Sequence, residues 1–396
     1  MGGHSHTVDV EVKGERFAID TGFIVFNDWT YPNFIRLLDQ LGVASQPTEM
    51  SFSVRDPKTG TEYNGNNLNS LFAQRRNLLS PGFWGMLRDI LRFNREALRD
   101  LHEQRIAADT TLGAYLHQKG YGQRFIDHYI VPMGSAIWSM SLADMQGFPL
   151  QFFVRFFKNH GLLSATNRPQ WRVVSGGSRS YVTALSASFA ERIRLNCPAQ
   201  RVERDATGVT LHSAAGSERF DSVVFACHSD QALSLLTAPS QTEREILGAL
   251  HYADNDVVLH SDTRVLPNRR LAWASWNYRL GGSTRQPAAL TYNMNILQGL
   301  QSDTTFCVSL NQNEAIDPST ILGRRQLIKE KEQLSDTQRS NQQAQASSAE
   351  PIKVPQLDQA IKVAVPQQLG PNSAQPLQPQ LNSFGQSIGR LINVTA

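Results

Sequence analysis

Three polar side chains follow a predicted strand at a position where α/β proteins often bind ligands. His228, Asp230 and Gln231 come directly after the apolar run 223–226, and open α/β sheets place their ligands beyond the carboxyl ends of strands. An imidazole and a carboxylate at such a position can exchange protons with a substrate. Capping the strand end is an equally good role for the same side chains, and both interpretations stay open.

Other reaction types have their own spacings, and the chain does not contain them. There is no Ser-His-Asp order, no HExxH pair and no phosphate-binding P-loop. The cysteines, Cys197, Cys227 and Cys307, are isolated, which predicts small buried apolar residues rather than disulfides or metal ligands. The sequence therefore predicts no metal site, and it identifies no catalytic residue.

Composition narrows the class of protein further. The chain has 396 residues and a formal net charge of +3, from 38 basic and 35 acidic side chains. This near balance gives no reason to expect a nucleic-acid partner. No apolar run approaches the roughly 18–20 residues of a transmembrane helix, and no leader pattern opens the chain. We expect a cytoplasmic protein without a transmembrane segment.

The first 170 residues divide into a strand-rich part and a helical part. Residues 1–65 predict two strands around a Lys13-Gly14 turn, a loop at Gly22, a helix over 31–41 and a hairpin over 50–65. Residues 66–170 are helical and aromatic. Four aromatic side chains there and just beyond could line an apolar substrate cavity or form ordinary core: Tyr129, Trp138, Phe148 and Trp171.

The pattern becomes strand-rich again after residue 170. Residues 171–235 predict a strand, a Gly176-Gly177 loop, a helix and further strands, the last over 220–227, in a partly parallel sheet. Residues 236–323 predict an antiparallel sheet. Residues 324–396 are rich in Gln, Ser and Pro, which predicts a disordered tail. Such a tail could bind a partner protein.

Four segments carry a resemblance to a known family. They are Gly2-Gly3-His4, Ile19-Asp20-Thr21-Gly22-Phe23, Ser175-Gly176-Gly177 with its helix, and the pair of runs 199–202 and 223–226. In this order they resemble the flavin-containing amine oxidase and phytoene desaturase superfamily. The residues at 2–8, 21–27 and 226–233 most resemble the sequence motifs of bacterial predicted NAD/FAD-binding proteins. The resemblance covers about residues 1–320.

The resemblance implies an α/β fold that binds FAD. Residues 1–65 and 171–235 would form a glutathione-reductase-like FAD-binding domain, while 66–170 and 236–323 would form a mixed helical and antiparallel-sheet substrate domain. A small apolar or amine substrate would pass a hydride to the flavin. The cofactor-binding residues implied are Gly2, Gly3, His4, Asp20, Thr21, Gly22, Phe23, Val202 and Ala226.

Plainer roles remain open for several of these residues. Gly2 to His6 could be a frayed terminus. Gly22 could be an ordinary turn glycine instead of one that allows close approach to the flat flavin ring or takes a backbone conformation closed to other residues. Val202 and Ala226 could simply be core strand residues.

Two departures from the family pattern affect the functional expectation. Relatives carry Gly-x-Gly-x-x-Gly and an acidic ribose-binding residue in a first βαβ unit, which this sequence lacks, and the Gln/Pro-rich tail replaces their C-terminal flavin segment. We therefore expect an incomplete, truncated FAD-binding domain with its first βαβ unit missing. The alternative to an FAD-dependent oxidoreductase is a catalytically inactive flavoprotein remnant that cannot retain FAD.

Overall fold

The computed structural model describes residues 1–164, 166–281 and 283–331. Its strands are β1 Thr7–Val12, β2 Glu15–Asp20, β3 Val25–Asn27, β4 Ser45–Pro47, β5 Phe52–Asp56, β6 Thr61–Asn64, β7 Trp171–Val174, β8 Ala199–Asp205, β9 Gly208–Ser213, β10 Gly216–Phe220, β11 His251–His260, β12 Trp276–Arg279, β13 Leu290–Asn293, β14 Cys307–Leu310 and β15 Ile321–Lys331.

The α-helices are α1 Pro32–Leu41, α2 Leu68–Leu71, α3 Pro81–His102, α4 Leu112–Gln118, α5 Gln123–Phe125, α6 Val131–Trp138, α7 Leu142–Gln146, α8 Leu150–Asn159, α9 Arg179–Ser186, α10 Ser229–Leu235, α11 Gln241–Gly248 and α12 Met294–Leu297. A π-helical turn, Ile126–Ile130, joins α5 to α6. Short 3₁₀ turns occupy Arg75–Leu79, Ala187–Arg192, Thr263–Val265, Arg270–Ala272, Asn313–Ala315 and Pro318–Thr320.

Local sequence signals explain the N-terminal elements. Strands β1 and β2 pair as an antiparallel hairpin, and Lys13 and Gly14 between them both have positive φ, 55° and 83°, as a type I′ turn requires. Helix α1 ends where Gly42 takes the left-handed conformation, with φ of 65°. The predicted turn, helix and helix end are confirmed.

The largest sheet has seven strands in the order β15-β11-β14-β13-β12-β5-β6. All neighbours pair antiparallel except β5 and β12, which are parallel. The antiparallel sheet predicted for 236–323 is therefore confirmed, and it also recruits the hairpin of residues 52–64. Residues 270–272 do not join this sheet, because Arg270–Ala272 forms a 3₁₀ turn.

The boundary predicted at residue 324 falls inside a strand. Strand β15 pairs with β11 from Ile321 to Lys331, so residues 324–331 are ordered by backbone hydrogen bonds rather than disordered. Their apolar content is low, but backbone pairing does not depend on it. The predicted disorder of residues 332–396 lies outside the described residues.

The returning segment 171–235 differs most from its prediction. Strands β8, β9 and β10 form an antiparallel sheet, not a partly parallel one, because the short turns at 206–207 and 214–215 can only join antiparallel neighbours. Strand β7 likewise pairs antiparallel with β3 and β4. The strand predicted over 220–227 is wrong beyond Phe220: residues 221–228 pair with no described strand.

Helices α3 to α8 pack on the large sheet to form the main hydrophobic core. Phe153 on α8 is fully buried and stacks on Phe157, with ring centroids 4.0 Å apart. Val54, Tyr278 and Leu290 reach the same cluster from β5, β12 and β13. A helical layer on a mixed sheet is a two-layer α/β arrangement, so the predicted α/β class is confirmed. The absence of a first βαβ unit stays a prediction.

Candidate cofactor site

The N-terminal loop is shaped by two glycines and held by backbone hydrogen bonds. Gly2 and Gly3 have positive φ, 102° and 55°, which other residues rarely adopt. The Ser5 N–H donates to the Gly2 carbonyl at 2.8 Å, and the Ser5 hydroxyl also bonds the Tyr181 phenol. The loop is therefore tied to α9, and the frayed terminus considered for 2–6 does not occur in this structure.

The turn over 21–23 lies directly against this loop. The Thr21 N–H donates to the His6 carbonyl at 2.9 Å, and the Phe23 N–H donates to the His4 carbonyl at 2.7 Å. A Cβ atom at Gly22 would overlap the His4 carbonyl. Gly22 is thus required for close approach between two parts of the backbone. The close approach predicted at Gly22 was to the flavin ring, and it stays a prediction, since the neighbour seen here is the His4 carbonyl.

Asp20 is buried and fully engaged by the protein. Its carboxylate accepts from the Ser178 N–H at 2.9 and 3.1 Å, the Ser178 hydroxyl at 2.9 Å and the Thr7 hydroxyl at 2.6 Å. Burial raises the pKa of Asp20, although the hydrogen bonds from Thr7 and Ser178 oppose the shift. These contacts join the Gly176-Gly177 loop to β1 and β2. Asp20 therefore holds the elements around the glycine loop in place.

Phe23 lies in an aromatic cluster beside the loop. Its ring meets Phe34 edge to face at 5.4 Å and lies 6.3 Å from Tyr31. Thr21, also predicted to bind the cofactor, is buried and its hydroxyl lies 2.6 Å from His6 Nδ1. Both side chains, like the N–H groups of these two residues, are therefore engaged within the protein.

Val202 lies on the small sheet of β8–β10, whereas Ala226 lies on no described sheet. Val202 is buried in β8 and its carbonyl accepts from the Thr237 N–H at 3.1 Å, so its backbone is already paired. Ala226 is exposed in the unpaired stretch 221–228. Cys227 beside it is exposed too, which corrects the burial predicted for it.

The unpaired stretch ends at His228, whose ring lies near the ring of His4 in the glycine loop. The His228 ring stacks on Tyr252 with centroids 4.3 Å apart, and it lies 5.6 Å from the His4 ring. The predicted segments 2–4 and 226–228 are therefore brought together. Asp230 and Gln231 lie in the first turn of α10, where the Gln231 side chain accepts from the His228 N–H at 3.3 Å. This contact caps the N-terminus of a helix and not, as was predicted, a strand end, because no described strand directly precedes it.

Arg325 on β15 supplies a cation that sequence reasoning missed. Its Nη2 donates to the Gly3 carbonyl at 2.6 Å, and its Nη1 is buried without a hydrogen-bond partner in the described part of the chain. Burial lowers the pKa of His6, and the charges of Arg325 and the N-terminal amine lower it further. Arg325 was predicted to lie in a disordered tail. The only signal for a strand there is the apolar pairs 321–322 and 327–328 on either side of it.

These features fit the phosphate part of a dinucleotide. A buried guanidinium N–H without a partner leaves a costly unmet hydrogen bond, and an anion beside the Gly2-Gly3 loop would satisfy it. Arg325 and the positive-φ glycines are therefore the residues that would hold such a group. Within residues 1–331 as described, no three metal-ligating side chains form a group.

The four aromatic residues predicted to line a substrate cavity or form core lie in two places, the main core and its edge. Trp138 and Phe148 are buried and lie 4.4 Å apart in the main core, so they are structural. Tyr129 packs against that core, and half-buried Trp171 stacks near His160 with centroids 6.2 Å apart.

A second aromatic pair was missed by sequence reasoning. Trp276 and Tyr292 meet edge to face at 5.1 Å, and both join the helical core to the cluster beneath β1 and β2. Trp276 Nε1 is buried without a hydrogen-bond partner among the described residues. No local spacing relates these residues, because they come from neighbouring strands β12 and β13.

Comparison with known proteins identifies the family. A sequence model described as flavin containing amine oxidoreductase matches residues 1–288. No match was found among curated proteins. Several solved structures share the fold at low sequence identity. A putrescine oxidase variant from a cofactor-binding redesign has a TM-score of 0.52 at 13% identity, covering 78% of this chain and 68% of its own.

Two further structures have similar scores. Cyclohexylamine oxidase from Brevibacterium oxydans has a TM-score of 0.52 at 13% identity, covering 83% of this chain and 76% of its own. A fatty acid isomerase from P. acnes has a TM-score of 0.51 at 12% identity, covering 78% and 67%. At such identities these likenesses show the fold alone, and the family follows from the sequence match. The chain belongs to the flavin containing amine oxidoreductase family.

Proposed function

We propose that the protein is an FAD-dependent oxidoreductase acting in the cytoplasm on a small apolar or amine substrate by hydride transfer to the flavin. The observation that carries the proposal is Arg325, whose guanidinium bonds the Gly3 carbonyl and keeps one buried N–H unpartnered. That unmet donor beside a glycine loop calls for an anion, and the family's cofactor is a flavin. FAD provides both, because its diphosphate joins the flavin to adenosine.

The chain's own contribution is binding and orientation. Arg325 and the Gly2-Gly3-His4 loop would bind the diphosphate, and the turn at Gly22 keeps that loop in place. Val202 and Ala226 would lie toward the adenosine end, as the family pattern implies. A bound flavin would supply the hydride acceptor, while the protein would position the substrate and exclude water. In this proposal 1–65 and 171–235 bind FAD, while 66–170 and 236–323 bind substrate.

Trp276 and Tyr292 are the candidate substrate contacts. Their rings offer a large apolar surface, and the buried Trp276 N–H gives one hydrogen-bond donor for orientation. Solved structures with this fold include two amine oxidases and a fatty acid isomerase, so the fold accommodates both amine and apolar substrates. Aromatic walls with few polar groups are suited to either class.

The test is cofactor binding by the full chain and by two variants of neighbouring arginines. Arg325→Ala removes the proposed phosphate contact, whereas Arg324→Ala removes an exposed arginine one residue away. We expect the Arg325 variant to bind FAD and ADP about 10–100-fold more weakly, because a charge-assisted hydrogen bond contributes about 1.5–3 kcal/mol. Fluorescence titration with FAD and calorimetry with ADP would measure it. Equal affinities in both variants would refute the role of Arg325.

The alternative is a catalytically inactive flavoprotein that does not retain FAD. One observation favours it: the stretch 221–228 has strand-forming residues but pairs with no described strand, and Val224 is 81% exposed. A wild-type chain that is folded by circular dichroism but binds neither FAD nor ADP would support this alternative. A yellow protein with near-equimolar flavin that is bleached by an amine under anaerobic conditions would exclude it.

A further inference from the structure

Helix α3 carries large apolar side chains on its solvent side. Trp84 is 50% exposed and Leu91 is 62% exposed, while Leu79, just before the helix, is 88% exposed. The opposite side of α3 buries Phe83 and Phe93 in the main core. The helix is therefore apolar on both sides, although only one side has a partner in the described structure.

The exposed residues of α3 form one continuous surface. We define the α3 outer face as Trp84, Arg88, Leu91, Arg95 and Arg99. Steps of three or four residues place them in one row along the helix, which extends for about 22 Å at 1.5 Å per residue. Leu78 and Leu79 continue the apolar surface beyond the first turn.

Trp84 is held outward by specific contacts. Its indole N–H donates to the Leu78 carbonyl at 2.9 Å, and its ring lies 5.3 Å from that of Phe72. Because the polar edge of the indole is already paired, the rest of the ring presents apolar surface to the solvent. Such an arrangement suits a ring that inserts at a boundary between water and an apolar phase.

The charges on α3 are segregated by sign. All three acidic residues of the helix turn toward the protein: Asp89 accepts from the Gly122 N–H, Glu96 from the Tyr121 hydroxyl and Asp100 from the Tyr115 hydroxyl, each at 2.9 Å. The outer face therefore carries arginines and no carboxylate. Arg95 has no ion pair in the described part of the chain, and Arg88 comes no closer than 3.9 Å to a carboxylate.

We propose that the α3 outer face, with Leu78 and Leu79, docks on an anionic lipid bilayer. Helices that lie in the membrane interface are rich in tryptophan, leucine and arginine, and the α3 outer face carries all three on its solvent side. Arginine can keep its guanidinium at the headgroups while its alkyl stem covers apolar surface, and anionic lipids complement the arginines. An interface with a protein partner typically has an apolar centre, with the charged residues at its rim. On the α3 outer face, apolar side chains and arginines instead mix along the row.

The experiment is co-sedimentation of the full chain with lipid vesicles. The probe is a vesicle of phosphatidylcholine with about one third phosphatidylserine, compared with pure phosphatidylcholine. We expect binding to the anionic vesicles only, with affinity falling as salt is raised. Arg88→Glu with Arg95→Glu should weaken binding at least 10-fold, and Leu79→Ser with Trp84→Ser should do the same.

Matched variants elsewhere on the surface are the controls. Arg16→Glu changes an arginine with an 85% exposed side chain, and Leu195→Ser changes a leucine that is 57% exposed. Both should bind vesicles like the wild type, and circular dichroism should show every variant folded.

Three outcomes would overturn the proposal. The first is no preference for anionic vesicles. The second is loss of binding in the control variants equal to that in the α3 variants. The third is a concentration-dependent dimer, measured by light scattering without lipid, that the α3 variants abolish while vesicle binding is absent. That last result would assign the face to a second copy of the chain.

Discussion

The helical core and the small sheet of strands β8–β10 are stabilised in different ways. In the helical core, Phe153 is fully buried among Trp138, Phe157 and other rings. In the small sheet, Val202 and Val209 are the only buried apolar residues on the described strands, joined by Leu236 from the chain that follows α10. Its strands instead carry arginine–carboxylate pairs on the surface.

This difference shows that the partners of an element, and not its residue types alone, decide whether it is buried. Residues 223–226 have the composition of a buried strand, yet Val224 is 81% exposed. Only the alternate side chains, Val223 and Phe225, pack on the small sheet. The helical core has a layer on both sides of its apolar residues, whereas the small sheet has one, so mutations should affect the two regions unequally.

The largest expected effect is on the helical core. Phe153→Ala should lower the free energy of unfolding by about 3–5 kcal/mol, because it removes a large buried ring and leaves a cavity among stacked neighbours. Val202→Ala in the small sheet should cost about 1–2 kcal/mol, since fewer methyl groups are removed from a smaller cluster. Denaturant unfolding of both variants measures the difference. A Val202 variant as destabilised as the Phe153 variant would contradict the comparison.

The second prediction concerns a buried polar chain in the seven-stranded sheet. His260 is fully buried and its Nε2 lies 2.8 Å from the Ser309 hydroxyl, which lies 2.7 Å from that of Thr291. Its Nδ1 accepts from the Asp262 N–H at 3.1 Å, so the ring is neutral. Burial lowers the pKa of His260 from 6.5 to about 4.

The folded protein binds a proton at His260 less readily than the unfolded chain does. The contribution of neutral His260 to the free energy of unfolding is therefore complete above pH 6.5 and is lost as the pH falls toward 4. The loss amounts to about 3 kcal/mol, from about 1.4 kcal/mol per pKa unit. Unfolding free energies measured between pH 7 and 4 should show this slope, and His260→Gln should reduce it. A His260→Gln slope equal to that of the wild type would assign the pH dependence to other groups.

The third prediction tests the contact between the Gly22 turn and the N-terminal glycine loop. Gly22→Val should destabilise the protein by about 2–3 kcal/mol, because the new side chain overlaps the His4 carbonyl and forces the loop away. It should also weaken the proposed FAD binding, in which the same loop holds the diphosphate. Gly85→Val is the matched control, since a Cβ at Gly85 meets open space.

Hydrogen exchange would locate the Gly22 effect. The Phe23 and Thr21 amides, which bond the His4 and His6 carbonyls, should exchange faster in the Gly22 variant while amides of the helical core remain protected. Uniform loss of protection across both regions would show that the loop is not an independent unit.

Local signals in the sequence were sufficient for much of the fold. The Lys13-Gly14 turn, the Gly42 helix end and the 52–64 hairpin follow from residue preferences within a few positions, and all three were predicted correctly. The orientation of strands in 171–235 was not, because pairing depends on neighbours distant in sequence. For the same reason the site was found only in part. The glycine loop has a local pattern, but Arg325 reaches it across more than three hundred residues.

The smallest expected effect concerns the surface ion pairs of the small sheet. Arg204 holds Glu243 through two hydrogen bonds, at 2.6 and 2.9 Å, and this arginine lowers the pKa of Glu243 to about 2. Both side chains nonetheless reach the solvent, since Arg204 is 40% and Glu243 31% exposed. Water and salt therefore screen the attraction, and forming the pair costs both side chains conformational freedom. Arg204→Gln should therefore leave the thermal midpoint almost unchanged, and less changed still at high salt. Calorimetry at low and high ionic strength would check this. A large shift that persists at high salt would mean that the pair, rather than the Val202 cluster, holds the small sheet together.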